Sequence, residues 1–338
     1  MRATKVFSVN TELNKVTGVQ KVLTDIHNGL KRNYNAKIVG FDNYTKINPS
    51  NNIKKEDYLR LSNPFVLRNS IVIIHERKLN GLFLLMNSIL FLNMRIIYIH
   101  HSVFHNKRRL TFFPKNIVSI SDKVTENLLT FFKVPTSRIT KIHNGIVDKY
   151  CCSDYYSSTK ESPDIIKVIY VARMNDGKRQ GAIFSALKDR LDKRIQVIFA
   201  GDGPNLEKVR RLIGDNPQFK ILGFVENVPQ LIKECDYMLL YSEIEGLPIT
   251  LIEAAMCGKP LIINDVGGNT EIGIPNENAF IVSDWEDLIS TLNHLPDIKA
   301  DQYERMSKRS REVYEKKFLY ETMITKYKDL IDEVIANK

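Results

Sequence analysis

At 338 residues, with 43% hydrophobic and 26% charged side chains and no repeat or low-complexity tract, the chain has the composition of a folded protein with room for two domains, which excludes disorder. The net charge of +10 is unevenly placed: residues 1–160 hold 25 Lys and Arg against 10 Asp and Glu, the remainder 24 against 29. A basic first half suits a polyanion or an anionic membrane surface, and the lack of any helix-turn-helix, zinc-finger or aromatic-basic pattern argues against nucleic acid.

The opening MRATKVFSVNTELNK is charged and has no apolar run of signal-peptide length, which predicts a cytoplasmic location. Short runs rich in Val, Ile and Phe then alternate with segments of helical period, the pattern of parallel sheets flanked by helices. In the first half the strand candidates are Lys5 to Val9, Ala36 to Phe41, Ser70 to Ile74, Arg95 to Ile99, Asn116 to Ser119 and Ile139 to Ile142. The most apolar stretch, Leu79 to Met94, is sixteen residues with three asparagines and a glycine. A bilayer span needs about 20 residues, so this is either a core helix or an interfacial one. The cluster Lys107-Arg108-Arg109, followed by Phe112-Phe113, suits the interfacial case.

Asp148 to Asp164 is polar and turn-prone and reads as a linker, which sets an N-terminal domain at 1–160 and a C-terminal one at 161–338. It holds Cys151 and Cys152. With Cys235 and Cys257 they have neither zinc-site spacing nor the look of a disulfide framework, and they read as reduced thiols. The second half repeats the strand pattern at Ile165 to Ala172, Gln196 to Ala200, Lys220 to Leu222, Tyr237 to Tyr241, Pro260 to Asn264 and Ala279 to Val282. A long helical stretch, Gln302 to Ile335, ends the chain, with apolar spacing at Phe318, Met323, Tyr327, Leu330, Ile331 and Val334. The fold class is therefore α/β, with two Rossmann-like domains. Ligands of such open sheets bind beyond the carboxyl ends of the strands.

The strongest chemical signal lies in such a loop, SEIEGLPITLIEAAMCGKP, residues 242–260. Pro248 can open a helix and Gly258 can end it, so Glu245 stands on the loop and Glu253 inside the helix. N–H groups of Gly246 and Leu247 at the positive end of that helix can bind an anion such as a diphosphate. The two glutamates could accept hydrogen bonds from sugar hydroxyls on either side of it. After the strand ending at Ala172, Arg173 and Lys178 could clamp phosphate oxygens and neutralise charge on a departing nucleoside diphosphate. Taken alone, such a basic pair is more often plain surface.

Together the pieces Ala172-Arg173 with Lys178, Gly201-Asp-Gly203-Pro, Leu222-Gly-Phe224-Val225, Glu245-Gly-Leu-Pro with Glu253-Ala-Ala and Gly258-Lys-Pro, and Val266-Gly-Gly with Glu271 resemble family 4 glycosyltransferases of the GT-B fold in order and spacing. The likeness is close over residues 165–285 and looser elsewhere. It implies two Rossmann-like domains facing a central cleft, a C-terminal helix returning to the N-terminal domain, and a retaining, metal-independent transfer of a hexosyl-type sugar from a UDP- or GDP-sugar to a sugar or lipid-linked glycan acceptor. It implies further that Glu245 holds the transferred sugar, that Glu253 holds the ribose, that Arg173 and Lys178 clamp the diphosphate, and that the backbone of Phe224 and Val225 meets the base. Gly201 and Gly203 belong to the nucleotide-sugar site, and no cofactor is implied. Surface or capsular polysaccharide synthesis is the expected setting, with the basic half at the inner face of the plasma membrane. Val118-Ser-Ile-Ser121 and His143-Asn-Gly-Ile146 also look like family elements.

Two places depart from the family pattern. Where a glycine pair often follows the first strand, Thr17-Gly18-Val19-Gln20 leaves the phosphate contact to Gly18. The reaction-centre histidine expected after an N-terminal strand corresponds to His100 or His101, of which His100 falls nearer the pattern's position; His75-Glu76 reads as structural or acceptor-lining. Rival readings are another GT-B enzyme, such as a sugar-nucleotide epimerase or a phosphorylase, or a non-catalytic nucleotide-sugar-binding module. A nicotinamide dehydrogenase would need G-x-G-x-x-G after the first strand.

Overall fold

The computed structural model describes residues 4–149 and 165–336, so Cys151, Cys152 and most of the expected linker lie outside the described residues. The chain divides into two compact units. One runs to Asn144 and resumes at Tyr320; the other is Gly145–Leu319. The sequence sets the boundary at 160 and counts the terminal helix in 161–338, while the family resemblance has that helix returning to the first domain; here the division falls at Asn144 and Tyr320 joins the first unit.

In the first unit, β1 (Lys5–Val9), β2 (Asn35–Gly40), β3 (Tyr58–Arg60), β4 (Ile71–Ile74), β5 (Arg95–His100), β6 (Asn116–Ser119) and β7 (Ile139–Lys141) form one sheet. Its order is β3-β2-β1-β4-β5-β6-β7 and every pairing is parallel. Val9 pairs with Val39 on one side and Ile74 on the other. Strands covered on both faces read as continuous apolar runs, and Ile71-Val72-Ile73-Ile74 is such a run, buried throughout. The helices are α1 (Gly18–Leu30), α2 (Asn80–Ile89) and α3 (Asp122–Thr130). All six expected strands are present. The seventh, β3, has three residues in a polar segment at the sheet edge and gives no alternation to read.

The second unit repeats the architecture. Its strands are β8 (Ile166–Val171), β9 (Ile195–Ala200), β10 (Phe219–Gly223), β11 (Tyr237–Leu240), β12 (Leu261–Ile263) and β13 (Ala279–Ile281), in the all-parallel order β10-β9-β8-β11-β12-β13. Around them lie α4 (Gln180–Leu187), α5 (Leu206–Ile213), α6 (Val228–Lys233), α7 (Ile249–Met256), α8 (Asn269–Ile272), α9 (Trp285–His294) and α10 (Ala300–Lys317). Cys235 and Cys257 are buried free thiols, each pushed up to about 12 by burial.

The helical stretch expected as one element is two, α10 and α11 (Tyr320–Ala336). They part where Phe318 is buried and its carbonyl accepts from the Ile146 N–H at 3.0 Å, while Leu319 bridges Ile146. Phe318 caps α10 with φ −124° and ψ 22°, a non-helical geometry that turns its carbonyl toward this neighbouring segment instead of along the helix. Helix α11 then packs on α1: Ile324 lies over Gly29, where a Cβ would collide with it, and the Tyr320 hydroxyl donates to the Asp25 carbonyl at 3.0 Å. Its apolar positions Met323, Tyr327, Leu330, Ile331 and Val334 are all buried. Among the described residues no helix is long and apolar enough to cross a membrane.

Candidate active site

In each sheet the strand order reverses beside the first strand, between β1 and β4 and between β8 and β11. Loops leaving the carboxyl ends of such a pair splay apart and open a crevice. In the second unit those loops are 172–178 and 241–248, and they carry the charged residues singled out in the sequence.

Lys178 ends a 3-10 turn, Asp176–Lys178, that is capped by Asn175, whose side chain accepts from the Lys178 N–H at 3.1 Å. The Tyr170 hydroxyl donates to the Lys178 carbonyl at 2.7 Å, and the Glu243 N–H donates to the Gly177 carbonyl at 2.9 Å, tying the two loops together. The Lys178 ammonium pairs with Glu245 Oε1, and the Ser242 hydroxyl donates to the same oxygen at 2.5 Å. Ser242 is fixed in turn by Asn264, whose amide donates to the Ser242 carbonyl at 2.7 Å. The Glu245 side chain is only 8% exposed and that of Lys178 22%, so the pair is partly desolvated and its partners are held rather than free to wander. Arg173 stands exposed on the same loop as Lys178.

Gly246, Leu247 and Pro248 lead straight into α7. Pro248 is the N-cap rather than the first helical residue, one position earlier than expected. Glu253 is buried within α7, a full eight residues beyond Glu245 and on a different element. Sequence reasoning missed Arg179, which adopts φ 57°, lies over the rings of Tyr241 and Trp285 at 5.5 and 5.9 Å, and bonds Glu243 at 3.2 Å. Its spacing one residue after Lys178 was visible, but its stacking partners lie 62 or more residues away.

Gly201 and Gly203 serve the same loop from behind. Both have positive φ, 140° and 156°, and a Cβ at either would overlap the carbonyl oxygen of Ala172 or Met174. The Met174 N–H donates to the Asp202 carbonyl at 2.9 Å, so the loop after β9 buttresses the loop that carries Lys178. At the end of β10, Phe224 is 51% exposed with Val225 beside it.

In the first unit the equivalent switch point is occupied by a lock. The Thr11 N–H and hydroxyl both donate to Glu76, which also pairs with Lys78 at 2.9 Å. Next to it, His75 Nδ1 and His101 Nε2 are 3.1 Å apart with their rings stacked. His101 is partly exposed, but the surrounding protein holds its pKa down to about 4 through burial; burial also drives His75 well below the usual range. His100 is different from the expectation that favoured it. It is the last residue of β5, fully buried, bonded to the Tyr98 hydroxyl at 2.9 Å and ringed edge-on by Phe104 and Phe132. Burial lowers it to about 3. Successive strand residues face opposite sides, so the position nearer the motif points into the core and its neighbour points out. Gly18 is exposed at the start of α1, behind the N-cap Thr17, whose hydroxyl accepts from the Val19 N–H at 3.3 Å and donates to the Gln20 side-chain carbonyl.

Residues 157–313 match the family described as Glycosyl transferases group 1. The match takes in a little under half of the chain. Every site residue named above in the second unit falls within the group 1 segment. Among curated proteins the chain is 24% identical over 245 residues to the N-acetyl-alpha-D-glucosaminyl L-malate synthase of Bacillus anthracis, covering 71% of this chain and 59% of that protein. It is 27% identical over 146 residues to the UDP-Gal:alpha-D-GlcNAc-diphosphoundecaprenol alpha-1,3-galactosyltransferase of Escherichia coli, covering 42% of this chain and 38% of that protein. The chain thus spans less than two thirds of these relatives. The fold is that of Anabaena HepE, solved with UDP and glucose, at TM-score 0.80 and 16% identity over 97% of this chain and 99% of that one. It is also that of the pneumococcal O-GlcNAc transferase GtfA, at TM-score 0.77 and 13% identity over 99% and 100%.

Proposed function

We propose that the chain is a retaining, metal-independent glycosyltransferase that moves a hexosyl-type sugar from a UDP- or GDP-sugar to a sugar or lipid-linked glycan acceptor in the synthesis of a surface polysaccharide. The observation that carries this reading is the Lys178–Glu245 pair at the switch point of the second unit, with Ser242 on the same carboxylate oxygen. When a donor binds, its diphosphate competes with Glu245 for the ammonium. Lys178 then turns to the phosphate, and Glu245 is released to accept hydrogen bonds from the hydroxyls of the sugar. Arg173 and the N-terminal end of α7 add positive potential where charge grows on the leaving diphosphate, the task that a metal ion performs elsewhere. Glu253 takes the ribose, Gly246 and Leu247 the diphosphate, and Phe224 with Val225 the base. In the first unit Gly18, at the N-terminus of α1, offers a further phosphate contact, and His101, not His100, faces the reacting sugar.

The reading extends to place. The excess of 25 cationic over 10 acidic residues in 1–160 suits a protein that works on the cytoplasmic side of an anionic membrane. Thermal stabilisation measured across a panel of nucleotide sugars tests the donor part, because a ligand that binds only the folded state raises the melting point with its affinity. Stabilisation by one UDP- or GDP-sugar and its parent diphosphate is the expected result. A flat panel would overturn it. The anomeric configuration of the product, read by NMR, tests retention.

A further inference from the structure

Helix α2 is apolar on both sides. Its sequence, Asn80 to Ile89, contains no charged residue, and Phe83 on one side is fully buried in the core of the first unit. The opposite side is not polar, as it is in an ordinary surface helix. Leu82, Leu85 and Ile89, spaced to fall on one stripe, are 47%, 59% and 61% exposed. The helix then closes with the Leu92 N–H donating to the Asn87 carbonyl at 3.2 Å, and Phe91 occupies the position where the backbone turns left-handed, at φ 49°. Glycine or asparagine is the usual residue there. Here a phenylalanine takes the strained conformation and leaves its ring 81% exposed.

A second apolar group lies alongside. A Cβ on Gly81 would stand 3.3 Å from Phe112, so the 107–112 segment runs beside the first turn of α2, and it exposes Leu110 and Phe112 at 75% and 61%. Lys107, Arg108 and Arg109, all exposed, open that segment. From Arg77 to Ser121 the chain holds seven Lys and Arg and no Asp or Glu.

We propose that this face is a membrane-docking surface on which the outer stripe of α2, with Phe91, enters the headgroup and acyl boundary of an anionic bilayer while the neighbouring cations bind lipid phosphates. The proposal rests on the membrane placement given under the function above and adds the surface and the mode. Charge complementarity selects the occupant: an exposed apolar stripe with the cluster Lys107-Arg108-Arg109 on the segment beside its first turn matches a sheet of anionic headgroups over hydrocarbon. A second copy of this chain would bring the same positive charge to the contact.

Phe91→Trp in the full-length protein supplies a reporter, because the one native tryptophan, Trp285, lies in the other unit. The variant is mixed with vesicles of phosphatidylcholine alone or with phosphatidylglycerol, whose chains are brominated. The expected result is a blue shift and quenching of the new tryptophan by the anionic vesicles. Leu85→Ser with Ile89→Ser, both exposed and so harmless to the fold, should weaken partitioning at least about tenfold. Bound protein with an unquenched reporter would overturn insertion while leaving electrostatic attachment standing. A serine double variant that binds like the parent would also overturn it. So would a dimer, seen by sedimentation velocity, that the serine changes dissolve while vesicles bind neither form. No nucleotide sugar is present in these measurements, so failure of the donor assignment appears only in the stabilisation panel.

Discussion

Both units are all-parallel sheets whose strand order reverses beside the first strand, and each switch point holds a lysine–glutamate pair, yet the surroundings of the two pairs differ. In the second unit the loops there present a partly buried ion pair, Lys178 with Glu245. In the first, Thr11 and Glu76 close the equivalent position and two imidazoles stack beside it, neutral because burial lowers both. One topology thus carries a lysine–glutamate pair on two tied loops in one case, and in the other a lysine–glutamate pair closed by Thr11 beside two neutral imidazoles, which is why function is argued from loops rather than from fold. Under the proposed function, Lys178 and the exposed Arg173 fit the second unit to the donor's diphosphate, and the first unit is left to meet an acceptor hydroxyl.

The sharpest way to break this contrast is to discharge the second unit. Lys178→Ala should lower turnover at saturating donor by at least about 100-fold, the scale of losing one donor to a developing charge. Far-UV circular dichroism should stay unchanged, and the melting point should drop, because Glu245 keeps only Ser242 as partner in a partly buried setting. Turnover equal to the parent would remove Lys178 from the chemistry.

The division of labour between the two carboxylates follows. Glu253→Gln should weaken binding of free nucleoside diphosphate by about tenfold, whereas Glu245→Gln should leave that affinity near or above the parent value, since the diphosphate no longer competes for Lys178, and should impair use of the sugar. Titration calorimetry with the diphosphate, set against kcat with the full donor, separates them. Equal losses of affinity in the two variants would end the assignment of Glu245 to sugar and Glu253 to ribose.

The first unit offers the complementary test. His101→Asn should reduce kcat by about tenfold or more with little change in melting point, while His100→Asn should lower the melting point and spare kcat at temperatures where it stays folded. The reverse pattern would restore His100 to the reaction centre.

What the sequence carried and what it withheld follow from the range of each signal. Continuous apolar runs are local, so twelve strands and the two-sheet arrangement could be read directly, and the ordered pieces from Ala172 to Glu271 marked the loops of the second unit. The side on which a strand residue lies is also local, yet His100 and His101 differ by the end of β5, and a boundary one residue further along decides which of them is enclosed. Phe318 fits the helical period and still ends a helix, because its carbonyl is taken by Ile146, 172 residues earlier. Arg179 and its rings, like the Lys178–Glu245 pair separated by 67 positions, are set by tertiary contact that no window reports.

The smallest effect distinguishes the units by acid. His75, His100 and His101 in the first unit, and His27 on α1, are all lowered by burial, His100 to about 3 and His101 to about 4. In the unfolded chain each takes its proton near pH 6.5, so between about pH 6.5 and 4 the unfolded state binds more protons than the folded one. Stability then rises with pH across that window: the contribution is fully present above about 6.5 and is lost as pH falls toward the folded values. In the second unit the one histidine among the described residues, His294, is exposed. Its shifted carboxylates sit lower: Asp192 is held down to about 2 beside Arg194 and therefore acts only at more acid pH. Hydrogen exchange followed by mass spectrometry from pH 7 to 4, corrected for the intrinsic rate, should show protection falling in β4 and β5 while β8 and β11 hold theirs. Protection in β4 and β5 that stays level across the window would mean that the buried imidazoles are relieved by local rearrangement, and the neutral state of the two imidazoles beside the first switch point would then be a property of neutral pH alone.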